Sequence, residues 1–153
     1  MTDKRIIFIS RDNTISRWFV SRENNIVERG NADNVSELEQ WHDLETDVVL
    51  LGTDVIIKTV EIPGSNARTR LKAAPFAMEE HLASDIEAMH FAYRIIKDTQ
   101  GIQVVAVEQK SLQDYLATLA SLSITPTRIV PMAALLDTPQ GCISVMQIEE
   151  HLL

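Results

Sequence analysis

Three largely apolar runs divide the chain, at positions 6–9, 48–51 and 102–107, the last of them interrupted by Gln103. Continuous apolar runs of this length are typical of strands buried on both faces of a sheet. Residues 14–20 alternate between apolar and polar, which predicts a hairpin partner for the first strand, and residues 26–29 predict a third strand. We therefore expect the 48–51 and 102–107 strands to lie centrally in a sheet.

Two further segments have helical spacing. The first begins at Asn34, where Glu37 three residues later gives a capping-box spacing, and it ends near Asp43. The second begins at Ser111 and stops before Pro126. The apolar positions on the predicted buried sides are Val35, Leu38 and Trp41 in the first helix and Leu112, Tyr115, Leu116, Leu119 and Leu122 in the second.

The segment 68–93 joins a basic turn to an acidic run. Leu71, Pro75, Met78 and Leu82 are spaced i, i+4, i+7 and i+11, which predicts one apolar helical face. Because proline inside a helix costs about 3 kcal/mol, we predict two short helices that meet near Pro75 rather than one straight helix. Ser65 or Asn66 is the expected cap of the first of them.

The order of elements predicts the fold class. Three antiparallel strands, a helical crossover and a parallel strand give an α/β fold with a ribonuclease-H-like mixed sheet, the unit from which actin-like folds are built. Additional strands are expected at 55–62, 91–96, 127–130 and 142–148, with a turn or brief helix through Leu136. We expect one domain over 1–153 with possible sub-lobes 1–52 and 53–153, truncated before the complete fold.

Composition narrows the class of partner. A formal net charge of −8 and a pI near 4.9 argue against nucleic-acid binding and favour protein partners. The single cysteine, Cys142, has no internal disulfide partner, and the N-terminus does not resemble a signal peptide, so we expect a reducing cytoplasm. No apolar run approaches the ~20 residues that span a bilayer.

The chain offers little catalytic chemistry. An actin-like nucleotide site needs an aspartate after the first strand and a glycine in the following turn, but residues 10–14 supply Asp12 without the glycine. His81 and His90 lie near acidic residues in a spacing that matches no zinc signature, and Cys142 has no evident histidine partner. We therefore predict no catalytic, cofactor-binding or metal-binding residues, and no enzyme.

The candidate partner-binding residues form two groups. Trp18 lies on a strand that would present it outward from a sheet edge, where a partner strand can add. Glu79, Glu80, Asp85 and Glu87 form the acidic face that follows Pro75. A role of the block from Pro75 to Phe91 in folding alone is the alternative, and it is slightly favoured over partner binding.

A resemblance emerges from residues 47–139. The Pro-Phe-Ala-Met-Glu-Glu block at 75–80, followed ten residues later by His-Phe-Ala at 90–92, resembles the cytoplasmic domain of general secretion pathway protein L of the bacterial type II secretion system. Residues 104–107 and 128–131 continue the resemblance, whereas residues 1–46 agree with it in strand order only.

This resemblance implies an actin-like fold without ATPase function that serves as an adaptor. Its implied partners are the N-terminal domain of the secretion ATPase, protein E, and, through parts of the family absent here, protein M. It implies a location at the cytoplasmic face of the inner membrane, reached through a transmembrane helix that is also absent, and we expect a homodimer. The alternatives are an actin-like ATPase or kinase fragment that binds Mg-ATP through Asp12, and a self-association module.

Overall fold

The computed structural model of the protein describes residues 3–52, 54–97 and 99–136, together with the backbone of 147–148 and 151–152. The elements in chain order are β1 (Lys4–Ile9), β2 (Ile15–Arg22), β3 (Asn25–Asn31), a 3-10 segment (Ala32–Trp41), β4 (Glu45–Leu50), β5 (Ile56–Glu61), α1 (Ala67–Met78), 3-10 turns at Glu79–His81 and Ile86–Ala88, β6 (Met89–Ile95), β7 (Gly101–Glu108), α2 (Gln109–Ser121), β8 (Arg128–Pro131), a 3-10 turn at Met132–Leu135, β9 (Gln147–Ile148) and β10 (His151–Leu152).

The chain divides into two compact units. The first comprises Met1–Thr53 and Asp114–Leu153, and the second comprises Asp54–Gln113. The predicted second sub-lobe, 53–153, therefore extends too far, because residues 114–153 belong to the first unit. The reason is that the chain returns to the first unit within α2, at Asp114, and its later strand β8 pairs with β4 in the sheet of that unit.

The first unit contains a five-stranded mixed sheet with the order β3-β2-β1-β4-β8. β1 and β2 are antiparallel, as are β2 and β3, whereas β4 is parallel to both β1 and β8. This is the strand order of a ribonuclease-H-like sheet, so the predicted fold class is confirmed. β4 lies between two neighbours, as its apolar run predicted.

β1 is buried more on one face than on the other. Ile7 and Ile9 have no exposed surface, while Ile6 and Phe8 are half-buried, so the prediction of a strand fully buried on both faces is wrong for β1. Phe8 packs edge-on against Phe19, with ring centroids 5.6 Å apart. Aromatic side chains therefore cover part of the second face.

The segment between β3 and β4 is a 3-10 helix rather than an α-helix. Asn31 is the N-cap: its side chain accepts a hydrogen bond from Asp33 N at 2.9 Å, and Asn34 Oδ1 accepts one from Asn31 N at 2.7 Å. The predicted capping box of Asn34 with Glu37 is wrong. Asn34 is the third helical residue, in a non-helical kink, and it completes the capping box of Asn31. Glu37 instead accepts a hydrogen bond from the side-chain amide of Asn34. Leu38 is buried as predicted.

A buried arginine ties this segment to the sheet. Arg5 Nε donates to Thr46 Oγ1 at 2.9 Å, and Arg5 Nη1 donates to the carbonyl oxygen of Leu38 at 3.2 Å. Burial lowers the pKa of Arg5 below its usual value. The two hydrogen bonds compensate part of the cost of removing a guanidinium from water.

Asp47 at the start of the parallel strands lies between two cations. Its carboxylate is 2.7 Å from Arg128 Nη2 and 3.3 Å from Lys4 Nζ. Burial by itself raises the pKa of Asp47, but hydrogen bonds and charge from Arg128 and Lys4 outweigh it and hold that pKa below its ordinary value. The ionised form is therefore the one that these contacts stabilise.

This ion triad predicts a pH-dependent contribution to stability. Because the folded-state pKa is below the unfolded value of about 3.9, the contribution is complete above that pH and is lost as the pH falls through the folded value. We expect Asp47→Asn to lower the free energy of unfolding at neutral pH by about 1–2 kcal/mol and to flatten its acid slope. Urea denaturation at several pH values measures both. Glu39→Gln, at an exposed carboxylate, is the control; an unchanged slope for Asp47→Asn would contradict the prediction.

The second unit contains a three-stranded antiparallel sheet with the order β5-β7-β6. β7 is central, as its continuous apolar run predicted. The buried residues of this unit come from all three strands and from α1: Val60, Ala74, Met78, Met89, Ile102, Val104 and Ala106. Leu71, Leu82 and Phe91 pack against this core.

α1 passes through Pro75 without a break, so the prediction of two helices meeting there is wrong. Pro75 lies in the last turn, and the chain continues directly into the 3-10 turn at Glu79–His81. Burial of Ala74 and Met78 on either side of Pro75 favours the continuous path and offsets the lost hydrogen bond. The predicted cap is confirmed at Asn66, whose side chain accepts from Arg68 N at 2.9 Å and Thr69 N at 3.3 Å.

The remaining predicted elements are confirmed with small shifts. α2 begins at Gln109, two residues before Ser111, and buries Tyr115 and Leu119 as predicted, whereas the predicted burial of Leu116 and Leu122 is wrong because both are exposed. The brief helix before Leu136 is a 3-10 turn. Cys142 and most of the predicted 142–148 strand lie outside the described residues; only the antiparallel pair of β9 and β10 is described there. In the described part of the chain, no helix has the length and apolarity needed to cross a bilayer.

Candidate interaction surface

The acidic residues singled out in the sequence lie on one connecting segment. Glu79, Glu80, Asp85 and Glu87 occupy residues 79–87, between α1 and β6, and all four are exposed. Gln109 holds the end of this segment, because its Nε2 donates to the carbonyl oxygens of Glu87 at 3.1 Å and Met89 at 3.2 Å. The Gln109 side chain thus holds the backbone at the end of this segment, while the four carboxylates face solvent.

An exposed phenylalanine accompanies the first two carboxylates. Phe76 is 68% exposed, although its neighbours Ala74 and Met78 on α1 are fully buried. Phe76, Ala77, Glu79 and Glu80 line a shallow surface depression, which we call the Phe76 surface. An aromatic ring beside two carboxylates suits a partner with apolar and basic side chains.

A lysine and a histidine border the Phe76 surface. Lys58 Nζ donates to His81 Nε2 at 2.7 Å, and Glu80 Oε1 lies 3.3 Å from the same nitrogen. Lys58 extends from β5, so this contact joins the 3-10 turn to the sheet. The Glu80 carboxylate, 80% exposed, remains accessible to a second cation.

Asp85 and Glu87 lie farther along the segment. Asp85 is the N-cap residue of the turn at Ile86–Ala88, but its side chain makes no capping hydrogen bond. Next to it, Ser84 Oγ donates to the carboxylate of Glu108. The sequence pattern grouped Asp85 and Glu87 with Glu79 and Glu80. Of these four acidic residues, only Glu79 and Glu80 line the Phe76 surface.

Trp18 is not at a surface. β2 lies between β1 and β3, and Trp18 has no exposed area. Its indole packs so closely on Gly30 that a methyl group at that glycine would overlap the ring and the Asn34 side chain. The expectation that Trp18 faces outward from an edge strand is therefore wrong, because β3 occupies that edge.

The first turn is organised by its own side chains. Asp12 Oδ1 accepts hydrogen bonds from Ser10 Oγ and, at 2.9 Å, from Thr14 Oγ1. The Ser10 and Thr14 hydrogen bonds lower the pKa of Asp12, which is fully exposed. Asn13 takes the left-handed conformation with φ of 64°, and its amide donates to Asp114 O at 3.0 Å. Asp12 thus has a structural use in closing the turn.

Metal binding has no geometric candidate in the part of the chain that the structure describes, where no three His, Cys, Asp or Glu side chains come together. His81 contacts Lys58, and His90 lies on β6. These two histidines therefore occupy separate surroundings.

Phe76 is the functional candidate that the sequence reasoning missed. The helical spacing contained the signal, because Phe76 follows Ala74 by two positions, or about 200° around the helix. A large apolar residue opposite the buried side of a helix is exposed unless a partner covers it. The sequence reading used Phe76 only as part of a family motif.

Comparison with protein families gives a match over most of the chain. A model of the family "Type II secretion system (T2SS), protein L" matches residues 10–153. Type II secretion system protein L of Vibrio cholerae is 28% identical over 118 residues, which cover 76% of this chain and 29% of that protein. The protein of the same name from Dickeya chrysanthemi is 33% identical over 118 residues, covering 74% of this chain and 29% of its own length.

A solved structure has a similar fold. It is the cytoplasmic domain of EpsL, an inner membrane component of the type II secretion system of Vibrio cholerae. The TM-score is 0.80 at 23% identity, and the match covers 99% of this chain and 66% of that domain. The chain spans 29% of the length of the two curated relatives described above.

Proposed function

The chain belongs to the type II secretion system protein L family, and from this premise we propose that it is a non-catalytic adaptor. Its proposed task is to recruit the secretion ATPase, protein E, to the inner-membrane platform through the N-terminal domain of that enzyme. The family match over residues 10–153 is the observation that carries the proposal.

The adaptor acts at the cytoplasmic face of the inner membrane. In this proposal the parent protein is attached there by a single transmembrane helix and contacts protein M through its other parts. The role of Asp12 in the first turn supports the non-catalytic assignment, since the Ser10 and Thr14 hydroxyls donate to its carboxylate. The first glycine of the chain is Gly30, and the next is Gly52. The turn between β1 and β2 therefore contains no glycine that would let its backbone approach a phosphate.

The Phe76 surface is the proposed contact with the ATPase domain. The ring of Phe76 supplies apolar area that α1 does not bury, and Glu79 and Glu80 supply negative charge around it. Truncation of a central aromatic residue commonly costs an interface 2 kcal/mol or more, whereas charges at its border mainly change the association rate. The partner therefore presents an apolar side chain flanked by lysine or arginine.

Binding of the purified ATPase N-terminal domain, measured by calorimetric titration, tests this proposal. We expect Phe76→Ala to weaken binding by about thirtyfold or more. Glu79→Lys with Glu80→Lys is expected to lower the association rate and to reduce its dependence on salt. Both effects are predicted without a change in the fold, because all three side chains are exposed.

Glu61→Lys is the control for charge reversal, since it makes the change that each of the two substitutions makes, at an exposed position of β5 in the same unit. It is expected to bind like the parent chain. Parent-like binding by the Phe76 and Glu79/Glu80 variants would exclude the Phe76 surface. Undetectable binding by this chain and also by a protein of the relatives' full length that contains it would overturn the adaptor function itself.

A further inference from the structure

His81 lies at the border of the Phe76 surface, in contact with two side chains of opposite charge. It belongs to the 3-10 turn at Glu79–His81, and 29% of its side-chain surface is exposed. Lys58 reaches the ring from β5, and Glu80 reaches it from the same turn. Met78, at the end of α1 directly before the turn, is buried and uncharged. A cation and a carboxylate therefore face one imidazole ring.

Both charged side chains meet the same ring nitrogen. Lys58 Nζ is 2.7 Å from Nε2 of His81 and 3.2 Å from Nδ1, while Glu80 Oε1 is 3.3 Å from Nε2. An ammonium group only donates hydrogen bonds, whereas an ionised carboxylate only accepts them. Nε2 therefore bonds Lys58 when it carries a lone pair, and it bonds Glu80 when it carries a proton. The two contacts have opposite proton requirements.

The distances favour Lys58 as the partner of the neutral ring. A protonated Nε2 would place two donors 2.7 Å apart, so Nε2 directs its lone pair at Lys58 and the proton of the neutral ring lies on Nδ1. Protonation of the ring adds a hydrogen to Nε2 and a positive charge beside the ammonium. Both changes oppose the contact with Lys58 and strengthen the contact with Glu80.

We propose that His81 is a proton-dependent switch at the Phe76 surface. The neutral ring accepts a hydrogen bond from Lys58 and leaves the carboxylate of Glu80 free to bind a basic group of a partner. The protonated ring donates from Nε2 to Glu80, releases Lys58 and adds a positive charge at the border of the surface. A partner that presents lysine or arginine to Glu80 therefore binds more weakly when His81 is protonated.

The expected size of the effect follows from exposure. Glu80 is 80% exposed, so its pairing with one cation of a partner changes the affinity by about two- to fivefold. This effect on a partner rests on the proposed function of the Phe76 surface. The position of the proton on His81 does not, because it depends on Lys58 and Glu80 of this chain. Two measurements therefore separate the switch from the recruitment of the ATPase.

NMR spectroscopy of the imidazole nitrogens in the chain alone tests the position of the proton. At about pH 8, the parent chain is expected to show His81 with Nδ1 protonated and Nε2 unprotonated. Lys58→Met keeps the apolar stem and removes the ammonium, so Nε2 is expected to take the proton and donate to Glu80. Lys110→Met makes the same substitution at an exposed lysine of α2 in the same unit and should leave the ring unchanged. A protonated Nε2 in the parent chain, or the same ring state in Lys58→Met, would overturn the proposal.

Binding of the ATPase N-terminal domain, measured at several pH values from about 8 to about 5, tests the effect on a partner. Titration of the partner itself is common to every variant, so the ratio of two variants' affinities reports on this chain. We expect the parent chain to lose about two- to fivefold in affinity relative to His81→Gln, which cannot gain a proton, as the pH falls. His90→Gln, at an exposed histidine of β6, is the control and should follow the parent chain.

A ratio of parent to His81→Gln affinity that stays constant over this pH range would overturn the switch. Loss of the pH dependence in His90→Gln as fully as in His81→Gln would overturn it as well. Undetectable binding by every variant would instead contradict the recruitment of the ATPase. The NMR measurement on the chain alone would then decide whether Lys58 and Glu80 exchange at His81.

Discussion

Replacing Trp18 with alanine is expected to lower the free energy of unfolding by about 3–5 kcal/mol. The side chain has no exposed area, and β1 and β3 flank its strand on both sides. Removal leaves a cavity against Gly30, whose missing side chain is what admits the indole. Neighbouring backbone cannot collapse into this space without breaking ladder hydrogen bonds, so little of the cost is recovered. Urea denaturation followed by circular dichroism measures the change.

Two variants separate this structural role from a role in partner binding. Trp18→Phe keeps most of the apolar volume and is expected to cost less than the alanine change. Phe76→Ala removes an exposed aromatic ring and is expected to change stability by no more than about 0.5 kcal/mol. A Trp18→Ala protein with parent stability but impaired binding of the ATPase domain would show that Trp18 belongs to an interface after all.

Replacing Met78 with alanine is the corresponding test of the second unit, with an expected loss of about 2–5 kcal/mol. Met78 is fully buried and packs in the cluster that includes Ala74 and Ile102. It also lies directly before the turn that bears Glu79 and Glu80. We therefore expect Met78→Ala to loosen the Phe76 surface, so that binding of the ATPase domain weakens together with the thermal midpoint.

Met78→Leu is the matched control, since a swap of similar volume is expected to cost less than about 1.5 kcal/mol. Retained binding by the leucine variant would link the loss in the alanine variant to packing and not to the thioether. If Met78→Ala unfolds at the same urea concentration as the parent chain, α1 is not held to the sheet by this core, and the account of its path through Pro75 is wrong.

The strands were the most predictable elements, and the reason is visible in β4 and β7. Both strands have residues buried on both of their faces, and burial on two faces leaves a largely continuous apolar run in the sequence. β1 shows the limit of this reasoning, because Ile6 and Phe8 extend the run without being fully buried. An apolar run indicates that a strand can be buried on both faces. The elements that pack on those faces determine how much of the strand is buried.

Helical paths were predicted less well because local penalties are small beside packing energies. The cost of Pro75 favoured a break, yet burial of Ala74 and Met78 on one face keeps α1 continuous. Asn34 had the spacing of a cap, but Asn31 is the cap because the chain leaves β3 at that residue. Residue spacing decides neither the path of the helix at Pro75 nor the choice between Asn31 and Asn34 as the cap. Both depend on how the helical segment is positioned by the strands next to it.

The candidate site shows the same division. The exposed positions of Glu79, Glu80, Asp85 and Glu87 agree with the polar pattern, and their role in binding remains a prediction. Trp18 was misplaced because edge and interior strands share one alternating pattern, and the difference lies in the later pairing with β3. Phe76 was overlooked although its phase on α1 indicated exposure.

The sequence by itself determined the mixed α/β class, the central strands, the cap at Asn66 and the family resemblance, because these depend on local apolar runs, turn chemistry and short motifs. Only the tertiary structure decided that β8 returns to the first sheet, that Trp18 is buried and that β6 is the terminal strand of the second sheet among the described residues. Those outcomes depend on pairings between residues distant in sequence. Local patterns specify which faces need burial, while long-range pairing specifies what covers them.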